Sequence, residues 1–327
     1  MKLTRRDALR DLCLGATALV AGSACAKWPA QLALDSTSGT TVPHGSQTPL
    51  NGQPMMTRTI PKTNEAVPVI GMGTWQTFDI GTSPEEQKPL EEVLAEFSRA
   101  GGKLIDSSPM YGNSEEVAGD LTAKLGLRQK LFIATKVWTR GKDAGVHQME
   151  ESMRKLRADP IDLMQVHNLV DVDTHLQTLA DWKRRGRVRY VGVTHYTASA
   201  YDAVAQVIAA HKLDFLQINY SVYESEAEKR LLPLAQERGM AVIANRPFAG
   251  GEMFSRLLKK PLPSWAAEID CTSWAQVMLK FVISHPAITC VIPATSKVSH
   301  LRDNIQAGFG RMPDAKLRAR IAAEIAG

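Results

Sequence analysis

Lys103-Leu104-Ile105-Asp106-Ser107-Ser108-Pro109-Met110-Tyr111-Gly112-Asn113-Ser114-Glu115-Glu116 contains one complete strand-to-helix transition. Lys103–Asp106 is a short apolar run, as expected of a strand buried on both faces of a parallel sheet. Ser114-Glu115-Glu116 then opens a helix, with a capping residue and acids placed where the helix dipole favours negative charge. Working outward, the same rhythm recurs. Further strand candidates are Val67–Gly71, Leu131–Val137, Ile161–His167, Val188–Thr194, Phe215–Tyr220, Ala241–Asn245 and Thr289–Pro293. Amphipathic patterns lie between them: Leu90–Ala100 stops at Gly101-Gly102, Thr174–Arg185 at Gly186, and Glu226–Arg238 at Gly239. Eight strands with intervening helices predict an α/β chain folded as a single-domain (β/α)8 TIM barrel over residues 55–327. Thr57–Val69, centred on Lys62-Thr63-Asn64-Glu65, is expected to form a hairpin closing the barrel bottom. Residues 249–271 form a longer insertion after the seventh strand.

The chain of 327 residues is 44% hydrophobic and 22% charged, which excludes a disordered, collagen-like or disulfide-scaffold protein. A net charge of +5 without a basic run or aromatic-studded stripe gives no case for nucleic acid. Gly71-Met72-Gly73 is only GxG, with no third glycine opening a helix behind it, so a doubly wound nucleotide fold is not supported.

Residues 1–26 read as a cleavable signal peptide. Thr4-Arg5-Arg6-Asp7-Ala8-Leu9-Arg10 is a charged start, Leu12–Ala24 is apolar but too short to span a bilayer, and Ala24-Cys25-Ala26 is a small-residue cleavage site. The paired arginines and their neighbours resemble a twin-arginine (Tat) signal, which implies passage through the Tat export machinery to the periplasm. Attachment to a membrane is expected only if Cys25 is lipidated. Cleavage would leave 35 basic against 32 acidic side chains, and Cys271 and Cys290 as the remaining cysteines. Residues 27–54, rich in Ser, Thr, Gly, Pro and Gln, read as a flexible spacer.

Polar residues at the C-terminal ends of barrel strands face the active site of such a fold. Those ends supply Asp106, Lys136 and His167, with Tyr111 in the loop after Asp106. Each alone has a bland reading: a turn cap, a surface lysine, a core histidine, a packed loop ring. Together they make a sensible proton donor. A phenol titrates near ~10, and a neighbouring Lys136 cation is expected to lower that value. Asp106 is the available counter-ion for Lys136, and a neutral His167 can hydrogen-bond a carbonyl oxygen. No metal site is expected, since the remaining histidines lack ligand spacing.

These segments resemble the aldo-keto reductase family over nearly the whole mature chain. Gly71-Met72-Gly73-Thr74-Trp75 is similar to its first-strand motif and Lys103–Glu115 to its most specific signature. Thr135-Lys136 and Asp162-Leu163-Met164-Gln165-Val166-His167 are similar to its lysine and histidine segments. The resemblance implies NAD(P)H-dependent reduction of an aldehyde or ketone, with Tyr111 as acid, Lys136 and Asp106 tuning it, and His167 orienting the carbonyl. It also implies a dinucleotide, NADP or else NAD, lying across the barrel rim.

The implied cofactor contacts are Thr194, His195 and Gln217 at the nicotinamide amide, His195 standing where the family usually has Asn. Arg246 and Phe248 follow the seventh strand, where a stacking Tyr is usual. Thr295, Lys297 and Asn304 match the loop and helix holding the adenosine phosphate, with His300 where many members place Arg. Trp75, Trp138, Tyr223 and Phe248 are candidates to wall the substrate pocket. A monomer is expected, no heptad seam arguing for a dimer. Two other functions remain open at this stage: a nucleotide-holding sensor or subunit with little turnover, and a barrel hydrolase or lyase using His167 and Asp106.

Overall fold

The computed structural model describes residues 54–326. A small antiparallel hairpin comes first, β1 (Thr57–Thr59) with β2 (Ala66–Pro68), pairing Thr57 with Pro68 and Thr59 with Ala66. Eight parallel strands follow: β3 (Met72–Gly73), β4 (Leu104–Asp106), β5 (Phe132–Val137), β6 (Ile161–His167), β7 (Val188–Thr194), β8 (Phe215–Asn219), β9 (Ala241–Asn245) and β10 (Cys290–Val291). Each pairs with its neighbours in sequence. The sheet closes on itself where Ile70 bridges Val291 and Gly73 bridges Ala294. The helices on its outer side are α1 (Pro84–Arg99), α2 (Ser114–Lys124), α3 (Lys142–Lys155), α4 (Val172–Arg184), α5 (Tyr201–Ala210) and α6 (Leu231–Glu237). They continue with α7 (Glu252–Leu257), α8 (Trp274–Ile283), α9 (Val298–Gln306) and α10 (Ala315–Ala326). This is the expected (β/α)8 barrel, in one domain. Among the described residues no helix is long and apolar enough to cross a membrane.

Strand alternation divides the apolar side chains into two layers. One set packs between sheet and helices; the other, including Leu104, Phe132, Leu163, Phe215, Ile243 and Ile292, fills the barrel. Ile60 and Val67 from the hairpin join the inner set, so the hairpin is the floor. Tyr190 ties it there by hydrogen-bonding Thr63 at 2.9 Å and donating to Glu65 at 2.5 Å. Arg58 anchors the hairpin from outside, donating to the carbonyls of Ile283, His285 and Ile288 at 2.7–2.8 Å. Those carbonyls lie at and beyond the C-terminal end of α8, where the helix dipole favours a cation.

Several boundaries differ from the sequence expectation; the pattern Glu226–Arg238, for one, is divided into a 3-10 turn at Glu226–Lys229 and helix α6 from Leu231. The run Val67–Gly71 is not one strand: Val67 belongs to the hairpin floor, and the first barrel strand begins at Met72. The apolar run spans a change of partner that hydrophobicity does not mark. Helix α1 begins at Pro84 rather than Leu90, because Ser83 caps it by accepting from the Glu86 amide. Pro84 at the first position costs the helix no hydrogen bond.

Candidate active site

The β4 end delivers Asp106 into the barrel, and the β5 end delivers Lys136 beside it. Lys136 is 0% exposed and Asp106 2%. The Lys136 ammonium donates to Asp106 Oδ2 at 2.6 Å and to the Ser107 carbonyl at 2.7 Å. The other carboxylate oxygen, Oδ1, accepts from Gln217 at 2.7 Å and from Gln165 at 3.3 Å. A buried ion pair survives only when its remaining lone pairs and protons are satisfied, and here both Asp106 oxygens have donors.

Inward aim of Lys136 follows from its neighbour. Thr135 points to the opposite face, donating at 2.6 Å to Glu115 of α2, which also accepts from Ser152 of α3 at 3.1 Å. Burial pushes the Glu115 carboxyl above the usual carboxylate range. This polar clamp behind the sheet holds β5 with Lys136 facing the mouth.

Tyr111, in the loop between β4 and α2, sits half-buried over the pair, with Lys136 Nζ 5.0 Å from its ring centroid. His167, at the end of β6, meets the Tyr111 ring edge-on at 6.0 Å between centroids and 85° between planes. The structure therefore brings all four tetrad candidates to one mouth. Burial is the largest influence on the phenol and raises its pKa above the ordinary value; the Lys136 charge pulls it down by less. The expectation that Lys136 sets a lowered value is corrected here: depth of burial outweighs the cation. Burial also works against charging Lys136, but Asp106 and Tyr111 raise its pKa above the usual lysine value. His167 is held well below 6.5, by burial first and then by the charge of Lys136.

Those directions dictate a pH profile. Lys136 stays charged, His167 stays neutral and Tyr111 keeps its proton through the neutral range. We expect kcat/KM for carbonyl reduction to be level between about pH 6.5 and 9, falling only as the phenol ionises above about pH 10. Initial rates at constant ionic strength check this; an acid limb centred near pH 6.5 would mean that His167 titrates there. For stability, the unfolded chain binds the proton that buried His167 refuses. This contribution falls as pH drops below about 6.5 and is flat above it.

The cofactor candidates are spread around the rim. Thr194 and Gln217 are buried and joined, Thr194 Oγ1 donating to Gln217 Oε1 at 3.0 Å. Gln217 is thus engaged with Thr194 and Asp106 together, linking the nicotinamide-side candidates to the ion pair. Asn245, at the end of β9, adds a contact to Gln217 Oε1 at 3.4 Å. His195 accepts from the Tyr196 amide through Nδ1 at 3.0 Å, and burial lowers its pKa. Arg246 adopts a left-handed backbone (φ 52°), with Nε 3.9 Å from Glu224 Oε2. Phe248 stacks on Phe254 of α7 at 4.7 Å, one ring face covered by the insertion. Thr295 is buried and accepts from the Lys297 amide at 3.1 Å, just ahead of α9; Lys297 is exposed and Asn304 buried. Of the pocket candidates, Trp75 is 47% exposed, while Trp138 and Tyr223 are half-buried.

Gln165, Asn168 and Asn245 were not among the expected site residues. The signal that marks Gln165 is a polar side chain inside the apolar run of β6, two positions before His167 and so on its face.

Comparison with known proteins places this arrangement. The methylglyoxal reductase YeaE of Escherichia coli is 29% identical over 246 residues, covering 73% of this chain and 84% of that protein. The aldo-keto reductase YhdN of Bacillus subtilis is 28% identical over 189 residues, 53% of this chain and 56% of its own. An aldo/keto reductase from Klebsiella pneumoniae, solved in complex with NADP and acetate, superposes with a TM-score of 0.70 at 24% identity. It covers 82% of this chain and 95% of that one, a likeness of fold. The sequence pattern of the Aldo/keto reductase family matches residues 69–320, from just before the first barrel strand into the last helix, and the chain belongs to that family.

Proposed function

We propose that the protein reduces the carbonyl group of a small aldehyde or ketone, with NADPH as hydride donor. The observation that carries this is the buried Lys136–Asp106 pair lying under the Tyr111 ring, with His167 edge-on to the same ring. The mouth fits a nicotinamide dinucleotide. Among the described residues, five buried polar side-chain atoms lack a hydrogen-bond partner. Four of them, Gln165 Oε1, Asn168 Oδ1, Asn245 Oδ1 and Arg246 Nε, lie at or just beyond the mouth ends of β6 and β9. Buried polar groups are costly unless paired, and a carboxamide with a phosphate-linked ribose offers both donors and acceptors. Thr194, His195, Gln217 and Arg246 would hold the nicotinamide side; Thr295, Lys297 and Asn304 would hold the adenosine side, Lys297 favouring a 2′-phosphate.

When bound, the dinucleotide supplies hydride to the carbonyl carbon. The chain does the rest. His167, neutral, donates to the carbonyl oxygen and fixes its angle. Tyr111 hands its proton to that oxygen as negative charge develops there. Lys136 stabilises the phenolate left behind, and Asp106 keeps Lys136 charged in a site that would otherwise neutralise it. Methylglyoxal reductases among the relatives make small 2-oxoaldehydes the first substrates to try.

The signal assignment, and the spacer assignment up to residue 53, fall on residues outside those described. The twin-arginine resemblance supports export to the periplasm, with the protein folding around NADP(H) before it crosses. One preparation tests both readings. Mature protein purified from the periplasm should release NADP(H) on denaturation. After stripping, it should bind NADPH more tightly than NADH, then reduce members of an aldehyde and ketone panel. Failure to bind either nucleotide removes the reductase reading; an empty periplasmic protein removes the loading.

A further inference from the structure

We infer that Ser108 fixes the tautomer of His167, so that the ring meets a ligand with its proton on Nε2. For its catalytic meaning this rests on the reductase reading; as a statement about the ring it stands alone. Ser108 lies two residues beyond β4 and is 0% exposed. Its hydroxyl oxygen is 3.1 Å from His167 Nδ1 and accepts from the Met110 amide at 3.3 Å. These are the two hydrogen bonds of that oxygen among the described residues.

Each alternative fails on donors and acceptors. The Met110 contact brings a donor, so the Ser108 hydrogen has one acceptor in reach, His167 Nδ1. Were Nδ1 protonated, it and Met110 would both donate to one oxygen, and the hydroxyl hydrogen would be buried with nowhere to go. Leaving a buried donor unmade costs more than a typical hydrogen bond contributes. An imidazolium meets the same clash at Nδ1 and adds a second cation near the Lys136 ammonium. Neutral imidazole accepting at Nδ1 satisfies every group, and the proton then sits on Nε2.

Nε2 makes no hydrogen bond to the protein among the described residues, so its N–H is left for a ligand oxygen. The other tautomer would turn a lone pair toward that oxygen and repel it. Ser108 therefore acts through His167 as a positioning residue; it touches no reacting atom.

Full-length mature protein carrying 15N-labelled histidine tests this by long-range proton–nitrogen NMR, with the His167 pair assigned from its loss in His167→Gln. The wild type should show Nδ1 as an unprotonated nitrogen and Nε2 as a protonated one from about pH 6 to 8. Ser108→Ala should draw both signals toward the average of the two tautomers. It should lower kcat about tenfold, a loss of one neutral hydrogen bond, with KM nearly unchanged. Ser108→Thr, which keeps the hydroxyl, should restore both readouts. A wild-type spectrum with the proton on Nδ1 overturns the inference without any variant having to fold. Unmoved signals in Ser108→Ala overturn it equally. The expected spectra in a protein that reduces no carbonyl would uphold the tautomer and remove the reductase reading.

Discussion

Tyr111→Phe is expected to lower carbonyl turnover by about 10²- to 10⁴-fold, the usual worth of a positioned general acid. Phenylalanine keeps the ring over Lys136 and edge-on to His167, so the walls of the site persist. What goes is the proton that Tyr111 would hand to the developing alkoxide. NADPH affinity should stay within about threefold, because no cofactor candidate contacts the phenol oxygen. Stopped-flow single turnovers with saturating NADPH, beside fluorescence titration of the nucleotide, separate the two effects. Turnover surviving at a tenth of wild type would assign the proton to another group. The same variant separates a reductase from a nucleotide-holding sensor, whose output should not notice the missing hydroxyl.

Lys136→Met is expected to do two kinds of damage. Turnover should fall at least as far as with Tyr111→Phe, since the phenolate left by proton transfer loses its counter-charge. Stability should fall by about 3–5 kcal/mol, the cost of stranding one member of a buried ion pair. Asp106 would keep its donors from Gln217 and Gln165, yet no cation within reach of its buried carboxylate. Adding Asp106→Asn removes that stranded charge, so the double variant should recover most of the lost stability and none of the activity. Urea unfolding monitored by circular dichroism checks the stability arm. If the single variant proves as stable as wild type, the pair is not ionised as we describe it.

Much of the barrel was legible because parallel strands buried on both faces leave short apolar runs, and glycines stop the helices between them. The tetrad was legible for a related reason. Asp106, Lys136 and His167 are polar residues ending apolar runs, where a buried side chain needs a purpose. Other features depend on depth and on partners distant in sequence. Whether the Lys136 charge or the surrounding burial governs Tyr111 is a matter of how far the phenol sits from water, which no spacing reveals. Gln165 and Gln217 reach the same Asp106 oxygen from strands 59 and 111 positions away in sequence. Thr135 looks like one more strand residue until Glu115 and Ser152 are seen behind it. Phe248 next to a nicotinamide motif invites a stacking role, yet Phe254 from the insertion already occupies one of its faces. At Val67–Gly71 the apolar run continues across a handover from floor to wall, since both need the same kind of side chain.

The plugged floor has a kinetic corollary. Among the described residues, Ile60, Val67 and the Phe132–Tyr190–Phe215 aromatic group fill the floor of the barrel, leaving its mouth as the doorway. Whatever enters last stands in the way of whatever entered first. The proton that replenishes the phenol after each cycle must queue at the same threshold as the departing alcohol. Substrate and product therefore share one doorway with the cofactor, and the last to enter is the first to leave.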